Sequence, residues 1–183
     1  NSYYPTEAGG FELGQSFTAP CTGQLIQLAP ALLSYESATL GTSWSGTLRL
    51  YEGSGTSGRS LADIPVSATN PSSTSFYSVS ASASGSVLVT AGATYTWFRG
   101  LSSGRGEAPI ADPDYAGGSR YVTTNGNPGS ASAASGNDRA FSATFAAPAT
   151  WISVSPRSGR VQAGSDDDLD LTFDADGLAP GVY

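Results

Sequence analysis

The residues able to do chemistry in this chain are almost all carboxylates, hydroxyls and aromatic rings. Acid–base work by carboxylates on a glycoside needs two groups held about 5–10 Å apart. Glu7, Glu12, Glu36, Glu52 and Glu107 supply the groups, but no spacing among them marks a pair. Histidine is absent and all 8 basic residues are arginine. A Ser-His-Asp triad, a Cys-His pair and an imidazole metal site are therefore excluded, as are a Schiff-base lysine and a Walker A phosphate loop. The single cysteine, Cys21, can build neither a zinc site nor an internal disulfide. It reads as a buried thiol packed like a small hydrophobe, or as a partner in an intermolecular disulfide. The residue types point to a protein that is not an enzyme.

Calcium takes oxygen ligands, which this sequence has. Asp166, Asp167, Asp168 and Asp170 form the densest cluster. Successive strand residues point to opposite faces, so these four cannot converge on one ion, and the EF-hand spacing is missing. Asp174 and Asp176 before Gly177 suit a loop better, or a plain turn. In the longer first part, Asp112, Asp114 and Asp138 lie in segments read as loops that could meet, and they are the candidate ligands for a structural calcium. Exposed aromatic rings would suit a carbohydrate. Tyr35, Trp44, Tyr51, Tyr77, Trp97, Tyr115 and Tyr121 are available, and most aromatics on alternating strands belong to a core. Trp97, between Tyr95 and Phe98, reads as core. Trp44 and Tyr115 lie near predicted loops and are the candidate sugar-stacking residues.

The chain has 183 residues and a formal net charge of −7, long enough for one sizeable domain and part of another. Scattered arginines in an acidic chain make a poor nucleic-acid surface, because phosphate contacts need clustered cations. No apolar run reaches the ~18–20 residues of a membrane-spanning helix, so no membrane insertion is expected. The chain starts at Asn1 with no charged segment ahead of an apolar one, as if any signal peptide had been removed. Small hydroxylated residues, few charges and a lone cysteine suit a bacterial extracellular or cell-surface protein. No Asn-x-Ser/Thr acceptor occurs, Asn70 being followed by Pro71. O-glycosylation of the Ser/Thr-rich loops stays open.

The elements that must hold these residues follow a period of two, broken by Gly, Pro, Asn and Ser, which predicts an all-β antiparallel sandwich or barrel. Strands are expected over 14–18, 24–33, 46–51, 76–80, 86–90, 94–101, 120–124 and 139–145. On 46–51, Leu48 and Leu50 take one face and Arg49 and Tyr51 the other. The run 64–69 reads as an edge, since Pro65 removes a ladder donor, and 94–101 as a central strand. Residues 102–118 and 125–136 read as loops, the latter without any apolar face. No stretch supports a helix of three turns. A composition shift at residues 146–149 places a boundary near 148, giving a first domain over 1–147 and a segment over 148–183.

Gly14 to Cys21, Gly46 to Gly53, Val89 to Trp97, Tyr115 to Gly118 and Asp138 to Phe141 are pieces of the first 147 residues whose order and spacing can be compared with known modules. Together they resemble a jelly-roll module of bacterial extracellular proteins, of the kind found in large surface and secreted proteins of Bacteroidetes-like bacteria. The remainder is similar to the opening of a BACON-type immunoglobulin-like domain, through Trp151 to Gly159 and Thr172 to Tyr183, with Ile152 where that family has Leu. The resemblance implies a binding or structural role and no catalysis. Such a domain is about twice as long as residues 149–183, which can supply about three strands. Trp151, Ile152, Val154, Leu169, Leu171 and Phe173 are then its candidate assembly residues. Three strands without a covering layer are marginal in water, and an open edge invites pairing with another chain. The chain could continue beyond this piece, the segment could pack on its own jelly roll, or a neighbouring subunit could complete it by β-strand addition, giving a filament. The expected function is a structural or adhesive surface module that self-associates or contacts neighbouring domains. The alternative is a carbohydrate-binding module of a larger secreted protein, with a glycan as partner.

Overall fold

The computed structural model describes residues 4–7, 12–34, 38–83, 87–108, 115–124, 127–134, 138–146, 152–155, 164, 168 and 170–173. Among them there are fifteen strands and no helix. They are β1 (Tyr4–Glu7), β2 (Leu13–Thr18), β3 (Gly23–Ser34), β4 (Ser43–Glu52), β5 (Ser60–Thr69), β6 (Ser75–Ser78), β7 (Ala81–Ser82), β8 (Leu88–Val89), β9 (Thr94–Ser103) and β10 (Arg105–Ala108). After these come β11 (Arg120–Thr124), β12 (Asn127–Ala134), β13 (Phe141–Ala146), β14 (Ile152–Ser155) and β15 (Asp170–Phe173). The chain forms two compact units, residues 1–147 and 148–183.

The first unit is an antiparallel β-sandwich. One sheet has six strands in the order β12-β11-β2-β9-β4-β5. The other is built around β3, whose 12 residues are paired on both sides. Leu28 faces Ala143 of β13 and Ala81 of β7, and Leu33 faces Phe76 of β6 and Glu107 of β10. The core lies between the sheets and takes every second residue of each strand, because a pleated strand turns successive side chains to opposite faces. On β4 the buried Trp44, Leu48 and Leu50 alternate with the less buried Ser45, Thr47, Arg49 and Tyr51. Phe17 of β2 sits at the centre, its ring 5.9 Å from Tyr95, 5.6 Å from Phe141 and 6.3 Å from Phe145. Leu25, Leu28, Ile64, Val89 and Trp97 complete the packing around it. Each large apolar side chain so buried contributes about 1.5–3 kcal/mol relative to exposure.

The edge and centre of the six-stranded sheet lie where the side-chain pattern predicts. β5 is an outer strand with Pro65 exposed, and β9 runs between β2 and β4. Three readings need correction. Residues 105–108 and 127–134, expected as loops, are strands: β10 pairs with β1 and β3, and β12 pairs with β11. Backbone groups form those ladders, so Asn127 and the small residues Ser132, Ala133 and Ala134 pair at an edge without any apolar alternation. Cys21 is exposed rather than buried, in the turn between β2 and β3.

In the second unit β14 and β15 form a two-stranded antiparallel ribbon. Its register sets Ile152 opposite Phe173 and Val154 opposite Leu171. Leu171 is 60% exposed. Trp151 and Leu169 lie outside the described residues, as does any third strand.

Candidate functional site

Asp138 is 5% exposed, and both its carboxylate oxygens are engaged. Oδ1 accepts from Gln15 Nε2 at 2.9 Å, and Oδ2 accepts from the Tyr115 backbone N–H at 2.8 Å. Gln15, fully buried on β2, uses its other end as well, its Oε1 accepting from the Arg139 backbone N–H at 2.9 Å. A buried amide satisfied at both ends closes the sandwich here, joining positions more than 120 residues apart. Asp112 and Asp114 lie outside the described residues, so only one of the three candidate calcium ligands is placed, and it serves as a structural clasp. Among the described residues no group of three or more metal-ligating side chains comes together. Three of the pieces that carry the jelly-roll resemblance, around Gln15, Tyr115 and Asp138, meet at the Asp138 carboxylate.

Of the two sugar candidates, Trp44 is ruled out by burial. It is 2% exposed, because β4 begins at Ser43, three residues ahead of the expected start, and places it mid-layer. Its Nε1–H donates to the Tyr77 hydroxyl at 3.1 Å, that hydroxyl donates to Asn70 Oδ1, and Asn70 Nδ2 donates to Thr42 Oγ1 at 3.1 Å. The Arg99 guanidinium stacks on the indole at 5.4 Å. Burial lowers the Arg99 pKa to about 10, against a smaller opposing contribution from Tyr77. No face of Trp44 is left for a ligand. Tyr115 is 39% exposed, but its ring meets Phe141 edge-on at 5.8 Å and folds over Gly117, where a Cβ would collide with it. It anchors the turn before β11 more than it presents a platform.

The outward face of the six-stranded sheet carries a more coherent constellation. Across it run Tyr121 of β11, Gly14 of β2, Phe98 of β9, Arg49 of β4 and Asp63 of β5, each opposite the next in the strand register. Phe98 is fully buried although it faces away from the core. Its ring covers Gly14, where a Cβ would lie 2.7 Å from it, and Tyr51 and Tyr121 meet it edge-on at 6.0 and 6.1 Å. One row along, Thr123, Glu12, Gly100 and Thr47 lie side by side. Gly100 has no side chain, and the Glu12 carboxylate lies in that space. Glu12 is 4% exposed. Arg49 Nη1 donates to its Oε1, and its Oε2 is buried without a hydrogen-bond partner.

Burial works against the Arg49 charge, but the hydrogen bond and charge of Glu12, with Asp63 and Tyr51 adding, outweigh it and raise the Arg49 pKa above its usual value. Burial likewise raises the Tyr51 phenol, with Asp63 and Glu12 adding and Arg49 opposing. The turn after β4 folds over one end of this face. The Gly55 N–H donates to Thr96 Oγ1 at 2.9 Å, and the Thr96 hydroxyl donates to the Gly53 carbonyl at 2.7 Å. Gly55 holds φ at +75°, a conformation open to glycine, and lies against the Tyr121 ring. Arg49 and Tyr51 are predicted to share a face from their alternation. The seat of Glu12 over a glycine 88 positions later has no signal in the sequence. No family model, curated protein or solved structure matches this chain.

Proposed function

We propose that this chain is a non-enzymatic module of a bacterial surface or secreted protein, with a structural or adhesive role, and that residues 148–183 join it to other strands by β-strand addition. The first unit acts as the rigid body. The second resembles the opening of a BACON-type immunoglobulin-like domain and supplies the joint. The observation that carries this reading is the ribbon of β14 and β15, a strand pair with Leu171 60% exposed. Two strands of this size are marginal in water by themselves, and the N–H and C=O groups on a strand's open side are a template for a further strand. The added strand comes from a second copy of the chain, which gives a head-to-tail contact that does not close on itself. Calcium forms no part of the proposal, since Asp138 is already committed to Gln15 and Tyr115.

Negative-stain microscopy of the full chain beside a form ending at Ala146 tests the reading. Threads from the full chain and single particles from the shortened one are the expected pair. Single particles from both, or threads from both, overturn it. A carbohydrate-binding role is the second reading. What favours it is the Arg49–Tyr51 row on β4 rather than Trp44, and it needs nothing from the ribbon.

A further inference from the structure

The outward row of β4 runs Ser45, Thr47, Arg49, Tyr51, four side chains spaced by two residues and so spanning about 20 Å. That is the length of a short oligosaccharide. At one end lies a shallow groove walled by Ser45, Thr47, Pro65, Ser67 and Ser102, rich in hydroxyls that both donate and accept. Beside Thr47, the Glu12 carboxylate fills the space that Gly100 leaves without a side chain. In the middle, Arg49 is 28% exposed and held from beneath by Glu12. Across the strand pair from Arg49 stands Asp63, exposed and in no ion pair among the described residues. A fixed guanidinium beside a free carboxylate offers a donor fork and an acceptor to neighbouring hydroxyls. At the far end the Tyr51 ring is pinned edge-on by Phe98 and only half-buried.

We propose that this face binds a neutral saccharide chain laid along β4, with Tyr51 stacking on one ring, Arg49 and Asp63 hydrogen-bonding its hydroxyls, and the hydroxyl-walled groove taking the next unit. Three arguments favour a neutral polyol. Asp63 beside this row, on a chain of net charge −7, disfavours an anionic glycan, since the Glu12 and Glu52 charges are balanced by Arg49 and Arg59. The groove sets the hydroxyls of Ser45, Thr47, Ser67 and Ser102 beside the apolar Pro65 and Val66, a mixed wall that matches the hydroxyls and C–H faces of a sugar better than a wholly apolar ligand. The Glu12 carboxylate is kept off solvent with one oxygen unsatisfied, which costs stability, and it spends its charge on fixing Arg49. A guanidinium positioned in this way loses little freedom on binding. The site lies wholly within residues 12–103 and does not depend on strand addition by the ribbon.

The test is affinity electrophoresis of the full chain through gels containing β-1,3-glucan, β-1,4-mannan, xylan or dextran. The proposal expects retardation by at least one of the four. It expects Tyr51→Ala and Asp63→Asn each to weaken that retardation about tenfold, with Phe76→Ser on the other sheet leaving it unchanged. Asp63 is exposed, so Asp63→Asn reports on the site even if Tyr51→Ala disturbs the turn after β4. Free passage through all four gels, or retardation that survives both site variants, overturns the proposal. Neither result bears on thread formation by the ribbon.

Discussion

In the sandwich, two buried polar side chains reach partners from far along the chain. Gln15 holds Asp138 and the Arg139 N–H, and Glu12 holds Arg49. In the ribbon, each strand has one described partner and Leu171 stays 60% exposed. The sandwich therefore draws stability from long-range contacts. Among the described residues the ribbon has pairing capacity left over, so on the proposed function substitution there should alter association more than folding. Damage to one region should leave the function of the other intact, and that separation can be broken or sharpened experimentally.

The largest effect falls on the clasp. Gln15→Ala removes the amide that Asp138 Oδ1 and the Arg139 N–H both use, and should lower stability by about 3 kcal/mol. Urea denaturation measures it, with association of the full chain unchanged. A loss below about 1 kcal/mol would show that the clasp is replaceable. Next comes Gly14→Ala. The new methyl would lie 2.5 Å from the Trp97 carbonyl oxygen and 2.7 Å from the Phe98 ring. The strand pair must shift, at about 2 kcal/mol, and the near-ultraviolet circular dichroism of the Tyr51–Phe98–Tyr121 cluster should change with it. Leu171→Asp tests the other side of the comparison. The residue is exposed, so the melting temperature of the sandwich should stay where it is while association is abolished.

The smallest effect concerns the Glu52–Arg59 pair at the solvent, 2.9 Å apart. The hydrogen bond from Arg59 holds the Glu52 carboxyl below its usual pKa against a smaller burial contribution. A carboxylate lowered in the folded state contributes its stabilisation fully above its unfolded pKa and loses it as pH falls through the lowered one. Arg59→Ala should return the Glu52 titration, followed by carboxyl-carbon resonances, to the ordinary glutamate range. An unmoved titration would mean that the pair does not persist in solution.

Much of the sandwich was legible because burial writes itself into alternation. Leu48 and Leu50 against Arg49 and Tyr51 announce a face. Pro65 announced an edge. What stayed hidden depends on the backbone or on sequence-distant neighbours. β12 is a run of small residues whose ladder to β11 leaves no side-chain period. Trp44 looked peripheral because the start of β4 is written in serines. Asp138 looked like a ligand because a carboxylate in a loop carries no mark of the glutamine 123 positions earlier that claims it. The row on β4 was half legible. Its residues were assigned one face by alternation, but Asp63 reaches Arg49 only through the register of β4 with β5, and Glu12 only through the space left by Gly100.

Strand addition has a direct signature in the backbone. In a two-stranded antiparallel ribbon, every second amide points away from its partner and exchanges freely until another strand covers it. Hydrogen exchange of residues 152–155 and 170–173 should be followed in the full chain at low and high protein concentration. The account predicts that the outward amides gain protection as concentration rises, while those of β9 in the sandwich do not change. Outward amides that exchange equally fast at both concentrations, or that are already protected in the dilute monomer, would contradict it.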